Sequence, residues 1–209
     1  MIEGILPECY FTNNLRGLSV DMAVFRDLLK LRLPKLSKHL DDLQKDAREG
    51  SSGTSYEPPL TNVFTMQWFL TLFSTCLPRD TVLRVWDLIL LEGNEVLLRT
   101  ALAIWKGLER NILEVTSADE FYSAMGQLSR EMLELSNADS NRLIKDLVEM
   151  SPFPFTEVSD LREKYTFNIT PWSHGIAVAK RGLKILYRFV CTANIGVLSL
   201  KSEVLCMLL

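Results

Sequence analysis

The sequence is poor in the residues from which catalytic and metal centres are built. It has two histidines, His39 and His174, and four cysteines that lie far apart without a C-x-x-C pair. A nucleophile needs a neighbouring base, and zinc needs clustered Cys and His ligands. We therefore predict no catalytic residue and no metal site, and we interpret the cysteines as free thiols of a reducing compartment.

Glycine-rich phosphate loops and basic clusters are also missing. The segment Gly50-Ser-Ser-Gly53 lacks the following Lys-Ser/Thr of a nucleotide-binding loop, so no cofactor is predicted. The formal net charge is −3, and the Lys and Arg residues are scattered along the chain. Because nucleic acid requires a concentrated basic face, no nucleic-acid partner is predicted.

Long hydrophobic runs are absent as well. The longest uncharged run near the C terminus, Phe189 to Leu200, has about 12 residues, whereas a membrane-spanning helix needs roughly 20. This predicts no transmembrane span. The segment Met1 to Tyr10 lacks the basic start of a signal peptide. We therefore expect a cytoplasmic protein, and the apolar C-terminal stretch leaves peripheral membrane contact open.

Helical periodicity is the main pattern that the sequence does contain. One apolar stripe, preceded by Ser19 as a candidate N-cap, consists of Val20, Val24, Leu28 and Leu31. Pro34 is expected to end this helix and to begin the next one. No segment shows the sustained alternation of a strand, so the predicted fold class is all-α.

Later segments continue the helical pattern. Further helices are predicted at about 62–76, 78–91, 94–113, 117–135, 140–150 and 156–165. Thr61 is the candidate cap of the first of these helices, and a capping-box pattern at Ser117 begins the fourth. The polar, Gly/Ser-rich segment from Asp46 to Pro59 is predicted as a surface loop. We divide the chain into a helical domain at 1–171 and a divergent apolar tail at 172–209.

The central part of the chain carries the most specific residues. The aromatic and Met-rich segment from Phe64 to Phe73 could line a ligand pocket, but a core helix that is apolar nearly all round is the stronger interpretation. Asp80 and Arg84 have the spacing of an ion pair on one helix. Trp86 is predicted to be a buried anchor whose indole N–H requires an acceptor.

These central segments resemble the third conserved block of the TBC domain family. The matching residues are Val63-Phe-Thr-Met-Gln-Trp-Phe-Leu-Thr-Leu-Phe73, Leu77-Pro78, Leu83-Arg-Val-Trp-Asp-Leu88 and Glu92-Gly93. Two flanking segments, 15–29 and 161–170, resemble one subgroup of that family, so the resemblance covers about Leu6 to Pro171. It implies a helical module that accelerates GTP hydrolysis by Rab-type small GTPases, and it implies such a GTPase as the partner.

The resemblance also implies two catalytic fingers, which this sequence lacks. TBC domains supply an Arg from I-x-x-D-x-x-R and a Gln from Y-x-Q, and both motifs precede the third block. The only D-x-x-R here is Asp139-Ser-Asn-Arg142, which follows that block and has Ser136 in place of Ile. No tyrosine has Gln two positions on. Because Met1 to Pro7 resembles the helix after the Gln finger, we expect the N-terminal catalytic part of the domain to be missing.

Two interpretations of function follow from this pattern. The first is a Rab GTPase activator present as a fragment that is inactive alone, and the second is a non-catalytic TBC-like interaction scaffold. The resemblance implies that four residues of the third block belong to the scaffold of the domain and are candidates for lining the groove that faces the GTPase: Trp68, Arg84, Trp86 and Asp87. Surface or ion-pair roles, and not the role of a finger, are predicted for Arg16, Arg79, Arg84, Arg99 and Arg110.

Overall fold

The computed structural model describes residues 6, 10, 11, 15–50, 60–150 and 155–168. Within these ranges the chain forms helices and no strand, which confirms the all-α prediction. The helices are α1 (Arg16–Arg32), α2 (Pro34–Gly50), α3 (Leu60–Leu70), α4 (Arg79–Glu92), α5 (Glu95–Leu113), α6 (Ala118–Leu133), α7 (Asn137–Glu149) and α8 (Phe155–Asn168). The predicted tail at 172–209 lies outside the described residues, and the predicted division at 171 stays a prediction.

Proline and glycine set the helix boundaries where the sequence predicts them. Pro34 is the first residue of α2, where its missing N–H costs no hydrogen bond. Gly93 ends α4 with a φ of 90°, a conformation that a side chain would strain, and its N–H donates to the Ile89 carbonyl at 2.9 Å. The predicted boundary at Pro34 is confirmed, and the helix predicted at 78–91 ends one residue later than predicted, at Glu92.

Other predicted boundaries are wrong. Ser19 lies inside α1 and does not cap it, since its Oγ donates to the Leu15 carbonyl at 2.9 Å. Leu31, assigned to the apolar stripe of α1, is 63% exposed although it keeps the helical spacing of that stripe, and it lies one residue before the end of α1. The predicted loop from Asp46 begins too early, because α2 continues to Gly50; residues 51–59 lie outside the described part.

The last helices also differ from the sequence-based ranges. Ser136 caps α7, so this helix begins three residues before the predicted position, at Asn137. The helix predicted to reach Leu135 ends at Leu133. The final helix, α8, extends beyond the predicted 156–165 at both ends. Helix ends depend on single caps and are the least certain part of a sequence-based assignment.

Helix α5 forms the centre of the described fold. It contacts α1, α2, α3, α4, α6 and α7. Its Trp105 is fully buried, and the indole Nε1–H donates to Thr65 Oγ1 on α3 at 2.9 Å. The Trp105 ring lies parallel to that of Phe121 on α6 at 6.4 Å and is 5.7 Å from that of Trp68. Trp105 therefore fixes the positions of α3 and α6 against α5.

The turn between α3 and α4 holds two residues in the left-handed region. Leu72 has φ 47° and Phe73 has φ 66°, and each such non-glycine residue costs about 1–3 kcal/mol. The helix predicted to reach Cys76 is therefore wrong, because the chain leaves the helical conformation after Leu70. Phe73 is fully buried, and its N–H donates to the Trp68 carbonyl at 2.8 Å. Burial and hydrogen bonding together stabilise this strained turn.

Trp86 on α4 also binds this turn. Its Nε1–H donates to the Leu72 carbonyl at 2.9 Å, which confirms that the indole N–H has an acceptor. Trp86 is only half-buried, so the prediction of a fully buried anchor is wrong. The difference arises because the ring lies at the edge of α4 beside the turn, whereas Trp68 and Trp105 occupy the core.

Replacing Trp105 by Ala should lower the free energy of unfolding by about 3–5 kcal/mol, because the change leaves a cavity and removes the hydrogen bond to Thr65. Chemical denaturation followed by circular dichroism measures this difference. Leu91→Ala is the matched control, and since Leu91 is 80% exposed its effect should stay within about 0.5 kcal/mol. Equal effects of the two variants would contradict the placement of Trp105 in the core.

Replacing Trp86 by Phe keeps an aromatic ring but removes the donor to the Leu72 carbonyl. We expect a loss of about 1–3 kcal/mol, since the carbonyl loses its partner in a strained turn. The same denaturation experiment measures it. A variant as stable as the wild type would show that the indole does not hold this turn.

Candidate functional site

The outward side of α4 is the candidate site. Thr81, Val82, Val85 and Ile89 turn inward and are buried. The opposite side, here called the α4 outer face, consists of Leu83, Arg84, Asp87, Leu90 and Leu91. Helical spacing places these residues on one stripe.

Three of the five residues of the α4 outer face are exposed leucines. Leu83, Leu90 and Leu91 are 45%, 57% and 80% exposed. Single exposed leucines are common on protein surfaces, but several on one helix face form an apolar patch that a partner protein can cover. Arg84 and Asp87 add charges of both signs beside the leucines. The face therefore combines apolar area with charged groups that can orient a partner.

Arg84 contacts a residue that sequence spacing does not reveal. Its Nη1–H donates to Asn141 Oδ1 on α7 at 2.6 Å. The predicted ion pair with Asp80 is wrong, because α7 packs beside α4 and brings the Asn141 amide to the guanidinium. The same packing places Thr81 Oγ1 2.9 Å from Ser140 Oγ. Asp87 is exposed.

The four third-block residues therefore separate into two groups. Arg84, Trp86 and Asp87 lie together on α4, and the Trp86 indole N–H donates to the Leu72 carbonyl in the preceding turn. Trp68 lies in the core on α3, with its ring against Trp105. The role of these residues in facing a GTPase stays a prediction.

The D-x-x-R motif starts at Asp139, which lies in the first turn of α7. Ser136 caps α7, accepting the Asp139 N–H at 3.2 Å, and its hydroxyl donates to the Asp139 carboxylate at 2.6 Å. This is the geometry of an N-cap. The Asp139 carboxylate therefore has a structural role at the start of α7, and Arg142 is exposed on that helix.

The arginines considered as possible fingers make structural contacts or lie on the surface. Arg99 is buried and its Nη2 lies 2.6 Å from Glu92 Oε2. Arg16 donates to the Thr166 carbonyl at 2.8 Å. Arg79 and Arg110 are exposed. A buried guanidinium paired within its own domain cannot reach a partner's nucleotide, so Arg99 is not a finger.

Sequence reasoning missed an ion pair between α1 and α8 in which the carboxylate is buried and the guanidinium is partly exposed. Arg162 binds both carboxylate oxygens of Asp21, at 2.7 and 3.1 Å, and also donates to Asn94 Oδ1 at 2.7 Å. Burial raises the pKa of Asp21, and the Arg162 guanidinium opposes that rise. Asp21 lies in the segment 15–29 and Arg162 in the segment 161–170. Both segments resemble the same subgroup of the family, and this shared resemblance was the sequence signal that could have pointed to a contact between them.

The remaining chemistry-bearing groups do not form a catalytic centre within the described residues. Cys76 is buried, and burial raises the pKa of its thiol well above the usual value, which disfavours the nucleophilic thiolate. No group of three His, Cys, Asp or Glu side chains in that part could hold a metal ion. His174 lies outside it. None of the described helices has the length and apolar character needed to cross a membrane.

Comparisons with known proteins identify the family of this sequence. The model of the Rab-GTPase-TBC domain matches residues 1–113. Human TBC1 domain family member 30 is 59% identical over 172 residues, which cover 82% of this chain and 18% of that protein. The mouse protein of the same name is also 59% identical, over 82% of this chain and 22% of its own length.

A more distant relative supports the same assignment. Mouse TBC1 domain family member 2A is 33% identical over 163 residues, which are 78% of this chain and 16% of that protein. The chain thus spans less than a quarter of the length of these relatives. The two flanking segments resemble the subgroup of TBC domain family member thirty, and the 59% identity confirms that resemblance. With more than half of its residues matched by the family model, the chain belongs to the Rab-GTPase-TBC domain family.

Proposed function

We propose that this chain is a regulator of Rab-type small GTPases that binds its partner through the α4 outer face and does not accelerate GTP hydrolysis alone. The match of residues 1–113 to the Rab-GTPase-TBC domain carries the proposal. The proposed place of action is the cytoplasm, including contact with membrane surfaces where Rab-type GTPases direct traffic. The activity of the much longer relatives is extended to this chain only as part of this proposal.

The lack of catalysis is argued from the two fingers. A GTPase already holds its nucleotide and Mg²⁺, and an activator adds an arginine that offsets charge on the transferring phosphoryl group, worth about 10³–10⁵ in rate. The sequence contains neither I-x-x-D-x-x-R nor Y-x-Q. Its one D-x-x-R lies in the first half of α7, and the buried Arg99 pairs with Glu92. Arg142 of that motif is exposed, but Ser136 stands in place of the Ile and the motif follows the third block, so it is not assigned as a finger.

Binding is argued from the α4 outer face. Leu90 and Leu91 offer apolar area that gains free energy when a partner removes it from water. Arg84 is held in place by Asn141, so little side-chain entropy is lost when it meets an acidic group of the partner. The neighbouring Asp87 carboxylate can pair with a basic group of the partner. An apolar centre with charged neighbours is the usual composition of a protein–protein interface.

A non-catalytic interaction scaffold is the second candidate, and the exposed α4 outer face favours it because binding needs no finger. A chimera separates the two functions. A segment that carries the family's I-x-x-D-x-x-R and Y-x-Q motifs is fused to the N terminus of this chain. Restored stimulation of GTP hydrolysis would support an activator fragment, whereas binding without stimulation would support the scaffold.

The chain alone should leave GTP hydrolysis unchanged. Single-turnover hydrolysis is followed for a panel of Rab-type GTPases with and without a saturating amount of the chain. We expect rates within tenfold of the intrinsic rate, which corresponds to less than about 1.4 kcal/mol of barrier. A larger acceleration would contradict the assignment and would require a finger outside the known motifs.

The double variant Leu90→Asp, Leu91→Asp should bind at least tenfold more weakly to a Rab-type GTPase that the wild-type chain binds. The reason is that two charges replace apolar side chains of the α4 outer face. Isothermal titration calorimetry measures the affinity. Leu31→Asp is the matched control, since Leu31 is also an exposed leucine but lies on α1. If the control weakens binding equally, or if the wild-type chain binds no Rab-type GTPase, the proposed docking face is wrong.

A further inference from the structure

The junction of α1 and α2 carries a local concentration of positive charge. Lys and Arg are spread over the sequence as a whole, but residues 26–38 contain five of them and only one acidic residue, Asp27. All five cations are exposed: Arg26, Lys30, Arg32, Lys35 and Lys38. The surface of this junction is therefore positively charged.

The junction is an exposed corner. Leu33 is the only residue between α1 and α2, and its N–H donates to the Leu29 carbonyl at 2.7 Å. Within residues 30–35, here called the α1–α2 corner, Leu33 alone is buried. A helix rises about 1.5 Å per residue, so each other member of the corner lies within about 5 Å of Leu33 along a helix axis. The corner thus presents three cations and Leu31 as one compact surface.

The acidic residues next to the corner in sequence do not cancel this charge. Asp27 lies 3.7 Å from Lys164 Nζ of α8, and that cation offsets its charge. The next acidic residue on α2 is Asp41, about 9 Å beyond Lys35 along the helix axis. Exposed charges are largely screened beyond about 8 Å at physiological ionic strength. The corner therefore keeps a positive potential.

Leu31 adds an exposed apolar side chain between two of these cations. It is 63% exposed, and Lys30 and Arg32 flank it in the sequence. A single leucine is little apolar area for the centre of a protein interface, whereas the α4 outer face has three. A bilayer needs less, because one inserted apolar side chain and several cations on anionic headgroups add their effects.

A nucleic acid fits the corner less well than a lipid surface does. Residues 26–38 contain no aromatic side chain on which a base could stack. A flat anionic membrane asks only for exposed cations and a short apolar side chain that enters between the headgroups. The chemistry of the corner therefore favours an anionic lipid surface over an acidic protein or a nucleic acid.

We propose that the α1–α2 corner is a membrane-docking surface, which inserts Leu31 between the headgroups of anionic phospholipids and pairs Lys30 and Lys35 with their negative charges. The inference rests on the proposed function only for its place of action, contact with membrane surfaces, and not for the GTPase partner. Because α4 packs against α5 and α7, the α4 outer face and the corner lie on different helices. One chain thus carries both surfaces.

Co-sedimentation of the full 209-residue chain with lipid vesicles, in the absence of any GTPase, tests the corner. One set of vesicles is phosphatidylcholine alone, and the other contains equal parts of phosphatidylcholine and phosphatidylserine. We expect the wild-type chain to bind the anionic vesicles at least tenfold more tightly than the neutral ones. This preference should fall as salt is added, because salt screens exposed charges.

Variants of the corner identify the residues that bind. Lys30→Gln, Lys35→Gln should weaken binding to the anionic vesicles at least tenfold, since each cation near such a surface strengthens binding about fivefold. Leu31→Gln should weaken it by about fivefold, because a polar side chain gains less on insertion. The control Arg110→Gln, Lys145→Gln removes two exposed cations from α5 and α7 and should leave binding unchanged. Circular dichroism verifies that each variant is folded.

Four outcomes would overturn the proposal. Equal binding to both sets of vesicles would show that charge does not direct the contact. Unchanged binding of Lys30→Gln, Lys35→Gln would assign the contact to residues outside the corner, and an equal loss in the control would assign it to net charge. Release of the chain from the vesicles by polyglutamate at the same charge concentration would favour an acidic protein as the partner.

The experiment remains decisive if the double variant fails to fold, because the wild-type preference for anionic vesicles and the effect of Leu31→Gln are then compared. Absence of both would overturn the proposal. Since no GTPase is present in the assay, its failure leaves the proposed GTPase binding through the α4 outer face unaffected. Failure of GTPase binding in calorimetry likewise leaves the corner unaffected, because that measurement contains no lipid.

Discussion

The burial of Trp105 is the constraint on which the described fold depends. A ring of this size can be enclosed only if several helices meet around it, and its N–H must still find an acceptor. Thr65 supplies that acceptor from α3, and Phe121 covers the ring from α6. With α5 held at the centre, α4 packs beside it with one side inward. The exposed leucines of α4 are the other side of the same helix.

The sequence predicts the fold class well, because the determinants of a helix are local. Pro34 and Gly93 act through their own backbone, and Ser117 caps α6 by accepting the Glu120 N–H at 3.2 Å. The expected capping box is shifted, since the Glu120 carboxylate binds the Thr116 N–H instead of that of Ser117. The left-handed turn at Leu72 could not be predicted, because leucine disfavours it and only the surrounding packing enforces it.

The candidate site shows the same division between local and long-range information. Spacing alone places Arg84 and Asp87 on one face of α4, and a shared helix is sufficient for that inference. The contact between Arg84 and Asn141 joins residues 57 positions apart and depends on how α7 packs. Whether an aromatic side chain is core or edge is also a property of packing, which is why Trp86 was predicted to be more buried than it is.

The pairing of Asp21 with Arg162 has a consequence for how this sequence can evolve. The two positions are separated by 141 residues, yet the Asp21 carboxylate is tolerated out of water because Arg162, whose side chain is 21% exposed, binds both of its oxygens. Loss of Arg162 leaves a lone buried carboxylate, whereas loss of Asp21 leaves a guanidinium that still reaches water and Asn94. Selection therefore retains Arg162 as long as Asp21 is present, and lineages that lose Arg162 should also lose Asp21.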